Sequence, residues 1–260
     1  MAITKNGIEI RNLGDWRIHG KPKRADQWVP DRSAMEAARA WLEGGGERLP
    51  REIDAALSAH PAFGPVLRWD AQVEVQLHFD AFAGEPRNSD LVVNATDVHG
   101  TYVIAVEAKA DEPFGDTVAK TLVAAERRHE ENPRSNGVVR VLQLRQALFG
   151  PMDGGDGLPA AEGLRYQLLT ACAGALAEAT RRGYTRCLML VQEFQTVRTQ
   201  PEKHDTNARD LNAFLTRLSR GAVTGVAAGE IVGPFTVPGS ARISKSVQLY
   251  LGKVTRDIRA

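Results

Sequence analysis

The chain has 260 residues, of which 43% are hydrophobic and 25% charged, and its formal net charge is +1. This composition is typical of a globular protein with a sizeable core and excludes a disordered chain. No apolar run approaches the roughly 18 residues of a membrane span, and the first residues lack the pattern of a signal peptide. We therefore expect a cytoplasmic protein with no membrane partner. The two cysteines, Cys172 and Cys187, belong to no CxxC pair or Cys/His cluster, so no zinc site is expected.

The N-terminal part of the chain predicts an extension followed by a helix. Residues 1–30 carry weak strand and turn signals and are expected to form an arm or extension. Residues 31–260 are expected to form a single domain that includes a C-terminal extension. Its first element is a helix over residues 33–43, because Ser33 and Glu36 have the spacing of a capping box and three glycines follow the last periodic residue.

Three strands are predicted after this helix. Apolar and polar side chains alternate over residues 73–79, which is the period of a half-buried strand. Apolar runs over residues 90–95 and 102–108 predict two further strands, and residues 97–100 have the composition of the turn between them. Together these strands would form a meander.

The rest of the chain alternates helices with one buried strand. Helical spacing and helix-ending residues predict helices over residues 115–130, 138–149, 160–182 and 207–220. A short apolar run over residues 186–194 predicts a buried strand beside the meander. The order of helix, three strands, helices, strand and helix predicts an α/β fold with a mixed central sheet flanked by helices.

Asp90 and the run of Glu107, Ala108 and Lys109 carry the chemistry of this sequence. Glu107 and Lys109 project from one face of a strand, and burying charge is costly unless the groups are paired or bind a metal. The predicted hairpin would place Asp90 beside Glu107. Two carboxylates and an ammonium group would then hold a divalent cation and a water, or else form a buried ion pair without metal.

This arrangement resembles the PD-(D/E)xK nuclease superfamily, although Ser89 stands where that superfamily has a proline. The resemblance implies a restriction endonuclease-like αβββαβ core. It also implies Mg²⁺ or Mn²⁺ bound by Asp90, Glu107 and the backbone carbonyl of Ala108, with Lys109 polarising the attacking water. We expect no zinc and no organic cofactor.

A closer resemblance covers most of the chain. Residues 87–90, 106–115 and 164–169 are similar to an uncharacterised bacterial family, the DUF6946-like group, which is usually placed near those nucleases. Because that family has no assigned reaction, the resemblance supports a fold more firmly than an activity.

The superfamily often adds accessory groups to its metal site. One is a glutamate from the first helix, and Glu36 and Glu43 lie on the same face of the helix predicted here. Glu36 serves as the capping acid in the competing interpretation. Glu74 is a third candidate, with a solvent-facing acid as its alternative. Arg165 and Gln167 stand where related nucleases place a basic residue or a glutamine near the metal or the scissile phosphate, or they cap and solvate their helix.

Basic residues outside the strands are candidates for weak contacts to phosphate: Lys21, Lys23, Arg24, Arg198 and Lys203. We expect a metal-dependent endonuclease or exonuclease that hydrolyses phosphodiester bonds in DNA or RNA in a bacterial DNA-processing or defence setting. A catalytically silent protein of nuclease fold that binds nucleic acid or a protein partner is the main alternative. Hydrolysis of a small phosphorylated ligand is a third. A homodimer is expected if two single-strand cuts are paired.

Overall fold

The computed structural model describes residues 1–20, 25–82, 88–151 and 157–259, so Lys21, Lys23 and Arg24 lie outside the described residues. The strands are β1 (Ile3–Lys5), β2 (Ile8–Glu9), β3 (Arg68–Gln76), β4 (Asn88–Asp97), β5 (Gly100–Lys109), β6 (Arg186–Gln195), β7 (Glu230–Phe235) and β8 (Gln248–Asp257). The helices are α1 (Leu13–His19), α2 (Ser33–Leu42), α3 (Arg51–Ala59), α4 (Val118–Glu131), α5 (Gly137–Phe149), α6 (Tyr166–Arg182) and α7 (Pro201–Leu218).

One eight-stranded mixed sheet runs through the protein in the order β2-β1-β3-β4-β5-β6-β8-β7. Strands β3, β4 and β5 form the predicted antiparallel meander, and β6 pairs parallel with both β5 and β8. Since β3 and β5 both run opposite to β4, the carboxyl ends of β3, β5, β6 and β8 share one edge of the sheet with the start of β4. We call this the carboxyl edge. The predicted α/β class with helices around a mixed sheet is confirmed.

Each face of the sheet carries its own hydrophobic core. Helices α2 and α3 bury Trp41, Ile53 and Leu57 against one face, which we call the α2 face. Helices α4 to α7 cover the opposite face, called the α6 face, where Leu168 and Phe214 are fully buried. Burial of apolar area on both faces explains why the central strands are almost continuously hydrophobic.

The alternation of side chains along β5 decides where its charged residues point. Val103 and Ala105 belong to the core of the α6 face, and Ile104 and Val106 to the core of the α2 face. Because this period of two continues to the end of the strand, the side chains of Glu107 and Lys109 lie on the α6 face.

The N-terminal residues, which the sequence indicated as an arm, contribute to the sheet. β1 pairs parallel with β3, with Ile3 opposite Ala71, and antiparallel with β2. Ile3 and Trp16 are buried in the core of the α2 face. These apolar side chains are the physical reason why the segment packs on the domain.

Strand β3 differs from its predicted range of 73–79. It begins at Arg68 and ends at Gln76, and Glu74 within it has a left-handed backbone with φ 51°. After Gln76 the chain leaves the sheet, and Leu77 and Phe79 pack into the core of the α6 face. The apolar alternation therefore marks burial at these positions but not strand pairing.

Helix α7 begins at Pro201, before its predicted start at 207, because a proline suits the first helical position. Strand β8 pairs with β6 along its whole length. Among the described residues, no helix combines the length and apolar character needed to cross a membrane.

Candidate functional site

Asp90 and Glu107 lie side by side at the carboxyl edge. The pairing of β4 with β5 sets Leu91 opposite Val106, so the next residues along this register are Asp90 and Glu107. The backbone N–H of Ala108 donates to Asp90 Oδ2 at 2.7 Å. In an extended strand the carbonyl of a residue points to the same neighbour as its N–H. The structure thus sets Asp90 beside the strand residues Glu107 and Ala108, which the resemblance implies as metal ligands.

Gln167, on helix α6, forms a hydrogen bond with the Glu107 carboxylate. Glu107 is 1% exposed, and Gln167 Nε2 donates to its Oε2 in a short hydrogen bond. Gln167 is the second residue of α6, so Glu107 lies near the N-terminal end of that helix, where the helix dipole favours negative charge. Gln167 therefore contacts one of the two candidate carboxylates, and its place beside a metal or a scissile phosphate stays a prediction.

Glu74 adds a third carboxyl group to this edge. The pairing of β3 with β4 places it opposite Asp90, between the pairs Val73–Leu91 and Val75–Ser89. Burial and, second, the Asp90 charge raise the pKa of Glu74 to about 7, although a hydrogen bond from Asn88 Nδ2 acts against this. Its left-handed backbone costs on the order of 1–3 kcal/mol, and such strain clusters at functional sites. We call Glu74, Asp90 and Glu107 the acid row.

Lys109 is a buried cation without a carboxylate of its own. The residue is 5% exposed, and its Nζ lies 5.3 Å from the centre of the Phe114 ring. Within the described ranges Lys109 has no ion pair at 4 Å or less, with Asp90, Glu107 or any other carboxylate. Burial of an uncompensated charge is costly, and a bound anion or a metal-bound water would offset that cost.

The carboxylate nearest to Lys109 along the sheet is already engaged by other partners. The register of β5 and β6 sets Lys109 opposite Glu193. Glu193 Oε2 lies 3.0 Å from Lys253 Nζ, and its Oε1 lies 2.7 Å from His204 Nδ1, in a contact whose direction departs from a good hydrogen bond. We call Glu193, His204 and Lys253 the α7 anchor. The sequence analysis missed it, because its members come from three separate elements.

The two glutamates of α2 do not join the acid row. Glu36 Oε1 accepts hydrogen bonds from the Asp31 backbone N–H at 2.9 Å and from Arg39 at 2.8 Å. The predicted capping box is wrong, because the N-cap residue is Arg32 and its side chain makes no capping hydrogen bond. Glu43 forms an ion pair with Arg256. Both line one groove, as their spacing predicted, but α2 packs on the other face of the sheet from Glu107. Their expected part in a metal site is therefore corrected.

The predicted basic residues also have structural partners. Arg165 donates to Asp210 Oδ2 and to the Gly115 carbonyl, both at 2.8 Å, which ties the start of α6 to α7 and does not direct the guanidinium to Glu107. Lys203 lies 3.2 Å from Asp111. Arg198 is half-exposed and forms a longer pair with Asp31 at 3.4 Å.

The acidic residues that follow Lys109 organise the neighbouring loops. Glu112 accepts hydrogen bonds from the Ser33 hydroxyl at 2.9 Å and from the Ala110 N–H at 2.9 Å. Asp111 pairs with Arg32 at 2.6 Å, just before α2. These contacts fasten the start of α2 to the end of β5. Asp111 and Glu112 therefore stabilise the loops around the site and do not belong to the acid row itself.

The donor set at the edge suits a hard cation. The described part of the chain contains no group of three or more His, Cys, Asp or Glu side chains arranged to hold a metal by themselves. Asp90 and Glu107 nevertheless supply two carboxylates, and Ala108 a carbonyl, and Mg²⁺ needs only one or two carboxylates because it retains several waters. The pKa of Glu74 is raised first by its burial and second by the charge of Asp90.

The site opens to solvent next to Glu74. A cavity of about 410 Å³ is lined there by Lys5, Glu74 and Asn88 among other polar residues. Lys5 Nζ donates to the Glu74 carbonyl at 2.6 Å and holds the strained residue in place. A ligand therefore has access to Glu74, the outermost member of the acid row, from the β3 side.

Fold and site together define an α/β protein with a mixed sheet and a candidate cation site at its carboxyl edge. A family model described as "Domain of unknown function (DUF6946)" matches residues 9–258, and the chain belongs to that family. No curated protein and no solved structure matches the chain.

Proposed function

We propose that this protein is a metal-dependent nuclease with a restriction endonuclease-like core, which hydrolyses phosphodiester bonds in DNA or RNA. The hydrogen bond of 2.7 Å between Ala108 N–H and Asp90 Oδ2 carries the proposal, because it fixes Asp90 beside Glu107 with Lys109 two residues further on the same face. The order α2, β3, β4, β5, α6 and β6 supports the core assignment, since it follows the αβββαβ sequence of elements.

The proposed cation is Mg²⁺ or Mn²⁺, held by Asp90, Glu107 and the Ala108 carbonyl. When bound, it would neutralise charge on the phosphoryl transition state and acidify a bound water. Lys109 would orient that water through its buried ammonium group. Gln167 keeps Glu107 in position, and Glu74 has a pKa of about 7 that suits a proton acceptor near neutral pH.

A catalytically silent nuclease-fold protein that binds nucleic acid or a protein partner is the second candidate. One observation favours it: Glu107 and Lys109 are only 1% and 5% exposed, so little of either side chain faces solvent.

The deciding experiment measures cutting of single- and double-stranded DNA and RNA with Mg²⁺ or Mn²⁺. We expect wild type to cut at least one substrate, and Asp90→Asn and Lys109→Ala each to lose about 100-fold or more in rate, because each removes a group that acts on the water or the metal. Asp205→Asn is the matched control, since Asp205 is exposed on α7. Circular dichroism checks that each variant is folded.

If wild type cuts none of the four substrates faster than the Asp90→Asn, Lys109→Ala double variant, hydrolysis is rejected. Nucleic-acid binding that survives both substitutions would then support the silent binding protein.

A further inference from the structure

Two cavities lie beside the part of β3 that leads to Glu74 in the acid row. The smaller is the polar opening beside Glu74, and the larger, of about 630 Å³, lies between β3 and the C-terminal half of α6. Gln72, Val75 and Gln76 line both. The two cavities therefore adjoin the same stretch of β3, and we call them together the β3 groove.

The end of the β3 groove that lies away from the acid row is basic. Arg181, Arg182 and Arg242 line it, against a single carboxylate from Glu178. Glu178 pairs with both Arg181 and Arg182, but the Arg181 side chain remains 65% exposed. Arg242 is exposed and has neither an ion pair nor a side-chain hydrogen bond with the described residues. Its charge is available to a ligand.

Next to this groove, most of the side of β3 that faces away from β4 has no described strand hydrogen-bonded to it. Of the described strands, only β1 pairs with this side, at Ala71 and Gln72. The amides of Gln72 and Gln76 lie along the groove and can donate hydrogen bonds to phosphate or sugar oxygens without reading base sequence. A polar path thus connects the acid row with the arginines.

We propose that the β3 groove binds the phosphate backbone of single-stranded nucleic acid. The proposal rests on the proposed function, in which one phosphate lies at the acid row and its neighbours lie towards Arg242. A single strand fits the charge better than a duplex, because a duplex carries about one negative charge per 1.7 Å and each strand only one per 3.4 Å. No Phe, Tyr or Trp is found among the described residues that line the larger cavity, so backbone contacts rather than base stacking hold the strand.

The test is fluorescence anisotropy of a labelled oligonucleotide of about 16 nucleotides in EDTA, where cutting is off. We expect Arg242→Glu to weaken binding of the single strand by about 10-fold and to reduce the slope of log K against log salt by about 0.7, the value for one lost phosphate contact. Arg242→Lys should stay close to wild type. Arg51→Glu is the matched control: it makes the same charge change at an exposed position on α3, across the sheet.

The outcomes separate this proposal from the nuclease proposal. If Arg242→Glu binds single strands as Arg51→Glu does, the groove is not the binding path, whether or not the protein cuts. If a matching duplex binds more tightly than the single strand, the single-strand assignment is overturned. If binding depends on Arg242 but no substrate is cut with metal, the β3 groove is supported as the binding path and the nuclease proposal is rejected.

Discussion

At the scale of residues, Glu74 distinguishes this site from an ordinary cluster of surface acids, because its pKa is strongly raised. Burial and, second, Asp90 raise its pKa from 4.5 to about 7, so the folded state favours the protonated carboxyl. A raised pKa stabilises the fold fully below pH 4.5, and this contribution is lost as the pH rises through about 7. The acid row therefore makes a measurable contribution to the pH dependence of stability.

We expect Glu74→Gln to remove this contribution. Between pH 4.5 and pH 8, the free energy of unfolding of wild type should fall relative to that of the variant, by up to about 3 kcal/mol, because only wild type ionises at this position. Urea denaturation of both proteins at several pH values measures the difference, and titrating groups that do not interact with Glu74 cancel. Parallel curves would show that Glu74 ionises as an exposed acid does.

The sequence predicted some residues of the site better than others. Asp90 and Glu107 follow from strand alternation and a hairpin, which are local properties. The same alternation gave Glu74 a solvent-facing position, because a left-handed residue inside a strand leaves no clear signal in its sequence. For Glu36 and Glu43, helical spacing fixed a shared helix face but not the face of the sheet on which the helix packs.

At the scale of elements, the α7 anchor fastens helix α7 to two parallel strands. Glu193 is almost fully buried on β6 and contacts both Lys253 on β8 and His204 on α7. Removal of one partner from a buried charge pair leaves an uncompensated charge. Sequence reasoning could not anticipate this cluster, because it depends on β8 lying beside β6.

Glu193→Gln should accordingly lower the free energy of unfolding by about 3–5 kcal/mol, since Lys253 loses its carboxylate. Glu202→Gln, an exposed change on α7, serves as the control and should stay within about 0.5 kcal/mol of wild type. Urea denaturation at neutral pH compares the two. A loss below about 1 kcal/mol for Glu193→Gln would mean that the anchor does not hold α7.

At the scale of the whole molecule, the buried charges at the carboxyl edge and at the opposite edge differ in how completely they are paired. At the edge opposite the acid row, Arg186 donates to both oxygens of Asp97, at 2.8 and 3.2 Å, and to the Gly100 carbonyl at 3.0 Å. Burial raises the pKa of Asp97, but its hydrogen bonds from Arg186 and the His99 N–H outweigh this and lower the pKa. Arg186 and Asp97 therefore find their partners within the protein, and this ion pair stabilises the fold.

The carboxyl edge is closed only in part, since Glu193 there forms an ion pair with Lys253. Lys109 has no ion pair there within the described ranges, and Glu74 is held partly protonated at neutral pH. Such incomplete compensation is what a ligand-binding edge requires, and it arises where β3, β5, β6 and β8 end together. The mixed sheet was predictable from the order of elements, but its extension by β1 and β8 was not, because it joins residues far apart in the chain.

The most direct test of the central claim is anomalous diffraction from crystals soaked with Mn²⁺. We expect a single strong peak within coordination distance of the Asp90 and Glu107 carboxylates in wild type, and no peak there in Glu107→Gln. Absence of a peak at the acid row in wild type under saturating Mn²⁺, or a peak that persists unchanged in Glu107→Gln, would contradict the assignment of this edge as a metal site.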